Sequence, residues 1–319
     1  MLYRLLKIPA SIAFWMYCRH LRVNNPAVFA AKGPLLIACN HPNSFLDAII
    51  LASLFKRPVY SLARGDAFKN RFYAGLLRSL NMLPVYRTSE GVKNLEHNYS
   101  TFDACKEIFK KDGIVLIFSE GRCINEWHLR PLKKGTARLA ISSWQNNIDL
   151  AILPLGINYQ SFMRFGKNIQ LNFGKIILQK NIQLSDGFGK SVQSFNALLL
   201  AELQPLVNEI DKNDLTAQRQ QFAIKISTAK KIMLAIPALI GNILHRPLYF
   251  PAKIITGKTT RHNDHYDSVL VAILFVFYPV YLLLIFLLLY WFIGGYYPLL
   301  VFVLMPFCAW SLLQCKAQF

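Results

Sequence analysis

An uncharged stretch near the C-terminus limits the folds open to this chain. Residues 268–315, 48 in all, contain no Asp, Glu, Lys, Arg or His. The first part, residues 268–293, exceeds the roughly 20 apolar residues that a helix needs to cross a bilayer. Gly294 and Gly295 then interrupt the run, and residues 296–315 are again long enough to cross. Because a soluble core would rarely need so long an uncharged stretch, the sequence predicts a transmembrane hairpin of two helices over 268–315.

Positive charges flank this hairpin at its ends but not at its turn. Arg261 and His262 precede the first helix, and Lys316 follows the second. Positive residues concentrate on the cytoplasmic side of membrane proteins. Both ends of the hairpin, and the part of the chain before it, are therefore expected to lie on the cytoplasmic face.

The formal net charge of +19 arises outside the neutral hairpin. Beside a membrane anchor, such a charge favours anionic lipid headgroups and phosphorylated substrates as partners. Nucleic acid is disfavoured, because no nucleic-acid-binding motif accompanies the charge. We therefore expect the lipid bilayer, and not nucleic acid, to be a partner.

The N-terminal segment 1–29 is predicted to contain a basic amphipathic helix over residues 1–22. Apolar residues such as Leu5 alternate with cationic residues such as Arg4 and Lys7. The uncharged part covers only about ten residues, too few to span a bilayer, so the helix is expected to lie at the membrane interface. A helix packed on a core remains an alternative. The basic flank and the lack of a small-residue cleavage site argue against a cleaved signal peptide.

Residues 30–190 alternate short apolar runs with helical patterns. This alternation predicts an α/β domain with a mostly parallel sheet flanked by helices. The strand candidates are residues 35–39, 59–62, 83–86, 114–118, 152–159 and 169–178. The helix candidates are residues 45–55, 68–80, 92–110 and 133–145.

The segment 191–267 is predicted to be a helical extension of this domain. Residues 192–210 and 215–233 have helical patterns. Residues 234–251, with three prolines, are too interrupted to span a membrane and are expected to lie at its surface.

Several familiar motifs are absent. The six cysteines are scattered without the spacing of a zinc site, which suits free thiols in a reducing compartment. Neither a complete glycine-rich phosphate loop nor the G-x-S-x-G elbow of serine hydrolases occurs.

The stretch CNHPNSFLDAII leaves an apolar strand and enters an apolar helix. Ser44-x-x-Asp47 matches the capping box, which offers a purely local role for both residues. His41, however, should lie at the carboxyl end of the sheet, where open α/β sheets bind ligands. A carboxylate in the first helical turn can hydrogen-bond one imidazole nitrogen and leave the other basic. We therefore interpret His41 and Asp47 as a base that deprotonates a substrate hydroxyl, with the capping box as the alternative.

A second cluster follows another strand candidate. The stretch FSEGRC turns through Glu120, Gly121 and Arg122, and PLKKG enters a helix at Lys133. Gly121 permits close backbone approach, and an arginine can hold a phosphate bidentately. Lys133 lies at a helix N-terminus, which itself favours anions. Arg87 ends a further strand candidate on the same expected sheet edge, so the cluster predicts a phosphate-binding rim beside the His/Asp pair.

These motifs together resemble those of the glycerophospholipid acyltransferase family, which includes the 1-acylglycerol-3-phosphate acyltransferases. The matching stretches are NHPNSFLD, LPVYR, FSEGR with PLKKG, and ILPLGINY, in that order, over about residues 30–180. Five residues, rather than four, separate His41 from Asp47, a spacing that resembles the glycerol-3-phosphate acyltransferase branch. Ser119 stands in place of the usual proline of F-P-E-G, and Arg122 where threonine is common.

The resemblance implies roles for the site residues. His41 would be the general base and Asp47 its orienting partner. The turn at Glu120, Gly121 and Arg122 would bind the acceptor's glycerol phosphate, with help from Arg87. The resemblance implies no metal and no cofactor, with acyl-CoA or acyl carrier protein as the co-substrate.

The expected function is therefore the transfer of a fatty acyl group from acyl-CoA or acyl carrier protein, as in phospholipid biosynthesis. The acceptor would be a hydroxyl of glycerol 3-phosphate, lysophosphatidic acid or a related lysolipid. Two alternatives remain: an O-acyltransferase for an amino-acid or sugar lipid, and a non-catalytic lipid-binding membrane factor. The second would explain the basic domain and the anchor, but not the pairing of His41 with Asp47.

Overall fold

The structure is a computed structural model that describes residues 2–86, 92–182 and 187–319, with backbone only for residues 92–97. Strands and helices alternate through the first half of the chain, and helices alone make up the last third. The strands are β1 (Cys18–Val23), β2 (Leu35–Cys39), β3 (Val59–Arg64), β4 (Met82–Val85), β5 (Ile114–Phe118), β6 (Ala151–Tyr159) and β7 (Lys167–Phe173). The helices are α1 (Leu2–Tyr17), α2 (Phe45–Leu54), α3 (Arg71–Ser79), α4 (Val92–Phe109), α5 (Lys134–Gln145), α6 (Phe188–Leu203), α7 (Leu215–Phe222), α8 (Thr228–Thr259), α9 (Tyr266–Ile293) and α10 (Val301–Cys315).

The strands form one seven-stranded sheet in the order β1-β7-β6-β2-β5-β3-β4. The pairings β6–β2, β2–β5, β5–β3 and β3–β4 are all parallel. The predicted α/β fold with a mostly parallel sheet is thereby confirmed. Because β2 and β5 are parallel neighbours, the residues that follow them meet at one edge of the sheet.

The composition of the central strands explains why they pair in this way. All five residues of β2 are buried, as are the first four of β5. Continuous apolar runs are typical of parallel strands that are covered by helices on both faces. Trp144 of α5 and Phe195 of α6 pack in the core cluster on this sheet.

The N-terminal helix is shorter than predicted. α1 ends at Tyr17, and residues 18–23 form β1 instead of a further helical turn. In this segment the exposed His20 and Arg22 alternate with less exposed neighbours, which is the period of two expected of a strand. This alternation outweighs the helical pattern of the residues before it.

Two further boundaries differ from the predictions. The expected helix over 215–233 is divided, because α7 ends at Phe222 and α8 begins at Thr228 behind Ser227, whose side chain accepts a hydrogen bond from the Lys230 N–H. The expected strand over 169–178 is β7, which ends at Phe173.

The described chain divides into two compact units. The first comprises residues 1–9, 22–158 and 170–212, and the second comprises 10–21, 159–169 and 213–319. The predicted site residues that the structure describes all fall in the first unit, and the helices α8, α9 and α10 fall in the second.

Three helical segments of the second unit are long and apolar enough to cross a membrane: α8, α9, and Tyr297–Cys315, which joins a short 3-10 turn to α10. Gly294 and Gly295, both with φ near +65°, form the turn that follows α9; glycine adopts this left-handed conformation without steric cost. The segment 234–251, expected to be interrupted, lies inside the continuous helix α8. An apolar helix tolerates internal prolines where neighbouring helices support it, and α8 packs against both α9 and α10.

A buried ion pair lies at the start of α9. The Lys167 ammonium donates to the Asp267 carboxylate, and both side chains are fully buried. The Tyr17 hydroxyl donates to the same carboxylate oxygen at 3.0 Å. Burial lowers the pKa of Lys167, and the Asp267 carboxylate opposes that shift. The pair thus joins α9 to strand β7 of the same unit.

Candidate active site

The position of His41 is set by the end of strand β2. Asn40, the first residue after the strand, is buried and pairs with the backbone of Ile157 on β6. Its Nδ2 donates to the Ile157 carbonyl at 3.0 Å, and its Oδ1 accepts from the Ile157 N–H at 2.8 Å. This two-way pairing fixes the backbone from which the imidazole of His41 projects.

The imidazole of His41 is held by a carboxylate and by an aromatic ring. Its Nδ1 lies 2.9 Å from Oδ2 of Asp47, within hydrogen-bonding distance. Asp47 is fully buried in the first turn of α2 and also accepts from the Asn43 N–H at 2.9 Å. The Phe118 ring stacks on the imidazole at 3.7 Å. The His41 side chain keeps 15% exposure, so Nε2 is the nitrogen available to a substrate.

The capping-box alternative fails in the structure. The Ser44 side chain makes no capping hydrogen bond, and its backbone is left-handed with φ of 54°. The Asp47 carboxylate instead bonds to His41 and to the Asn43 amide.

Glu120 supports the backbone of the turn that carries His41. Its Oε2 accepts from the His41 N–H at 2.8 Å, and its Oε1 accepts from the Arg130 N–H at 2.8 Å. The residue is only 4% exposed. Burial raises the pKa of Glu120 to about 7, while the two amide hydrogen bonds act in the opposite direction. Its expected contact with the acceptor stays a prediction.

The remaining rim residues surround the next turn. Gly121 has φ of +66°, and a Cβ there would lie 3.1 Å from Cγ of Lys133. Lys133 is the N-cap residue of α5, and its N–H donates to the Ser119 carbonyl at 2.8 Å. Arg122 is exposed. The structure thus brings Gly121, Arg122 and Lys133 beside Glu120, whereas Arg87 lies outside the described residues.

Three site residues were missed by the sequence interpretation. The Cys123 thiol accepts from the Ser44 N–H at 2.9 Å, and the Asn125 amide donates to the Pro42 carbonyl at 2.7 Å. The Ile124 N–H donates to the His41 carbonyl at 3.2 Å. The segment after Arg122 therefore folds back on the turn that carries His41. Only its proximity to Glu120 in the sequence could have indicated this.

Replacing Glu120 with glutamine is expected to change how stability depends on pH. Between its ordinary pKa of 4.5 and its raised pKa of about 7, the folded protein binds a proton that the unfolded chain has released. Stability therefore falls as the pH rises through this window, by on the order of 3 kcal/mol. Glutamine keeps the shape of the side chain but does not titrate. The stability of the variant should therefore not fall in this way as the pH rises. Melting temperatures of both proteins from pH 5 to pH 8 test this, and parallel curves would contradict it.

No group of three or more His, Cys, Asp or Glu side chains with the geometry of a metal site occurs in the part of the chain that the structure describes. The described residues of the site offer a paired imidazole and carboxylate, together with the exposed Arg122 and Lys133.

Comparison with known proteins agrees with this geometry. The Acyltransferase family model matches residues 20–158, which include His41, Asp47 and Glu120. No curated protein matches the sequence. A similar solved structure is the 1-acyl-sn-glycerophosphate (LPA) acyltransferase PlsC from Thermotoga maritima, with 14% identity and a TM-score of 0.42, covering 62% of this chain and 80% of that chain. The family match over the motifs, together with the paired imidazole and carboxylate, identifies residues 20–158 as an acyltransferase domain and the protein as an acyl-transferring enzyme.

Proposed function

We propose that the protein transfers a fatty acyl group from acyl-CoA or acyl carrier protein to a hydroxyl of a phosphate-bearing glycerol acceptor. That acceptor is lysophosphatidic acid, glycerol 3-phosphate or a related lysolipid. The observation that supports this proposal is the 2.9 Å pairing of His41 with Asp47 beside a turn that carries the exposed Arg122. A base is needed to deprotonate the acceptor hydroxyl, and a cation is needed to bind the phosphate beside it.

In the proposed reaction, Nε2 of His41 removes the proton from the acceptor hydroxyl as its oxygen attacks the thioester carbonyl. The buried Asp47 carboxylate stabilises the imidazolium that forms. When the tetrahedral intermediate collapses, the carbon–sulfur bond breaks and the imidazolium returns its proton to the departing thiolate. The products are an ester and a free thiol, and the base is restored.

The cationic rim would orient the acceptor. Arg122 is exposed in the turn that follows Glu120, and the stem of Lys133 lies beside Gly121. We propose that these two side chains hold the acceptor phosphate, with Arg87 as a third contact. Glu120 would act indirectly, because it holds the backbone of His41 in the position from which the imidazole can reach the hydroxyl.

We further propose that the enzyme is anchored by two spans, α9 and α10, with the catalytic unit on the cytoplasmic face. Both ends of α8 lie beside the base of this hairpin, since Lys230 bonds to Gln314 at 2.9 Å and Ala252 packs with Tyr266 and Leu270. A helix whose two ends both lie at the base of the hairpin does not span the membrane beside it. α8 would therefore enter the membrane only part of the way, since Leu244 and His245 in its middle bond to Tyr281 and Tyr278 of α9.

Amine labelling in sealed vesicles tests this topology. A membrane-impermeant reagent should modify the lysines at both ends of α8, Lys231 and Lys258, from the same side of the membrane. Labelling of the two ends from opposite sides would show that α8 spans and would contradict the two-span anchor.

A competition assay tests the proposed substrates. Full-length protein in lipid nanodiscs receives labelled acyl-CoA or acyl carrier protein, with glycerol 3-phosphate, lysophosphatidic acid and a hydroxylated amino-acid lipid competing as acceptors. We expect kcat/KM for a phosphate acceptor to exceed that for the amino-acid lipid at least tenfold, because one good charge-assisted contact changes a rate by about that factor or more. The reverse preference would favour the non-phosphate alternative.

A further inference from the structure

Helix α3 presents an apolar face to solvent in the catalytic unit. Phe72 is 75% exposed, Tyr73 57% and Leu76 40%, whereas Ala74 faces inward and is buried. Residues 72, 73 and 76 lie on one side of an α-helix. Two aromatic rings this exposed on neighbouring positions are unusual for a surface that faces only water.

This face is held in place. The Asn70 side chain caps the helix, with Oδ1 accepting from the Phe72 N–H at 2.9 Å and from the Tyr73 N–H at 3.4 Å. α3 packs against strand β4 through its other side. The exposed rings therefore belong to a fixed helix in the folded unit.

Exposed cations accompany the apolar face. Lys69 precedes α3, Arg71 and Arg78 lie on the side of α3 away from Leu76, and α3 itself contains no acidic residue. A helix with one apolar side and one cationic side is the pattern of helices that lie in the interface of an anionic bilayer. A second copy of this chain fits less well, because pairing two such faces would bring like charges together.

Helix α3 begins at the edge of the sheet that carries His41. The helix follows strand β3 and its short turn at Gly65–Phe68, and β3 runs parallel to β5 in the same sheet as β2. α3 therefore begins at the sheet edge from which His41 projects. Phe45, in the first turn of α2 at this edge, is also more than a third exposed.

We propose that α3 docks the catalytic unit onto an anionic bilayer, with Phe72, Tyr73 and Leu76 inserted below the headgroups and the three cations level with them. The proposal rests on the proposed function in one respect, since it assumes that a membrane-resident acceptor reaches the His41 edge. Docking there turns that edge towards the lipid phase and shortens the path of the acceptor hydroxyl to the base.

Hydroxyl-radical footprinting tests the docking directly. The full-length protein is placed at one copy per nanodisc of anionic lipid, and labelling of Phe72 and Tyr73 is compared with that of Tyr99, which is 74% exposed on α4. We expect at least fivefold less labelling of the α3 rings than of Tyr99. Equal labelling would overturn the proposal. Protection that appears only with two copies per disc would also overturn it and would assign the face to self-association.

A kinetic comparison tests the functional consequence. Phe72→Ser/Tyr73→Ser should lower the rate on a long-chain acceptor in the bilayer at least tenfold and leave the rate on a water-soluble, short-chain acceptor within twofold. The matched control Tyr99→Ser should alter neither rate. Equal losses on both acceptors would overturn the docking role. If the wild-type enzyme acylates no phosphate acceptor, the proposed function fails, and the footprint still decides whether α3 docks.

Discussion

His41→Ala is expected to lower kcat for acyl transfer by about 100- to 10,000-fold, the usual contribution of a general base. The fold should survive the change, because the hydrogen bonds of His41 to Glu120 and Ile124 use its backbone N–H and carbonyl, which alanine retains. Steady-state kinetics in detergent, with melting temperatures measured on the same samples, test both statements.

Asp47→Asn should lower kcat at least 100-fold, since an amide does not stabilise the imidazolium as a carboxylate does. The double variant of His41 and Asp47 should be no worse than His41→Ala, because the two groups act as one unit. His128→Ala is the matched control: this histidine is exposed and pairs with Glu209, so its loss should leave kcat within twofold. Additive losses from the His41 and Asp47 changes would contradict the pairing.

Lys167→Met is expected to destabilise the protein by about 3 to 5 kcal/mol, the usual cost of leaving one buried charge without its partner. Lys167 and Asp267 are both fully buried, so water cannot replace the missing group. Asp267→Leu should also destabilise. Melting temperatures of the single variants in detergent, compared with the wild type, measure the effect.

The double variant Lys167→Met/Asp267→Leu should recover most of this stability, because a buried ion pair can often be replaced by apolar residues at little net cost. Lys253→Met, which removes an exposed lysine of the same unit, is the control and should be neutral. A double variant as unstable as the sum of the single changes would show that the two residues do not act as a pair.

The sheet could be predicted because its central strands are continuous apolar runs. The predicted bounds of β2 and β5, 35–39 and 114–118, agree with the structure. The meeting of His41 with Asp47 followed from the same pattern, since a strand that ends just before a helix places both residues at one edge. In both cases, the local sequence pattern was sufficient for the prediction.

Contacts between distant residues could not be predicted in this way. Lys167 and Asp267 are 100 positions apart, and neither lies in a motif that points to the other. Glu120 was recognised as a site residue, but its two bonds to backbone amides depend on loop conformations that no side-chain pattern encodes. Strand β1 was missed because its six residues directly follow helix α1 without a turn or helix-breaking residue between them.

The most direct test of the account is a rapid-quench experiment that follows thiol release and ester formation together. Wild-type protein and His41→Ala are mixed with acyl-CoA and lysophosphatidic acid. Direct attack by an acceptor hydroxyl on the thioester predicts that free CoA and phosphatidic acid appear at the same rate without a burst, and that both slow together in His41→Ala. A burst of CoA before any ester would reveal an acyl-enzyme, and equal rates in the two proteins would remove His41 from the reaction; either result would contradict the account.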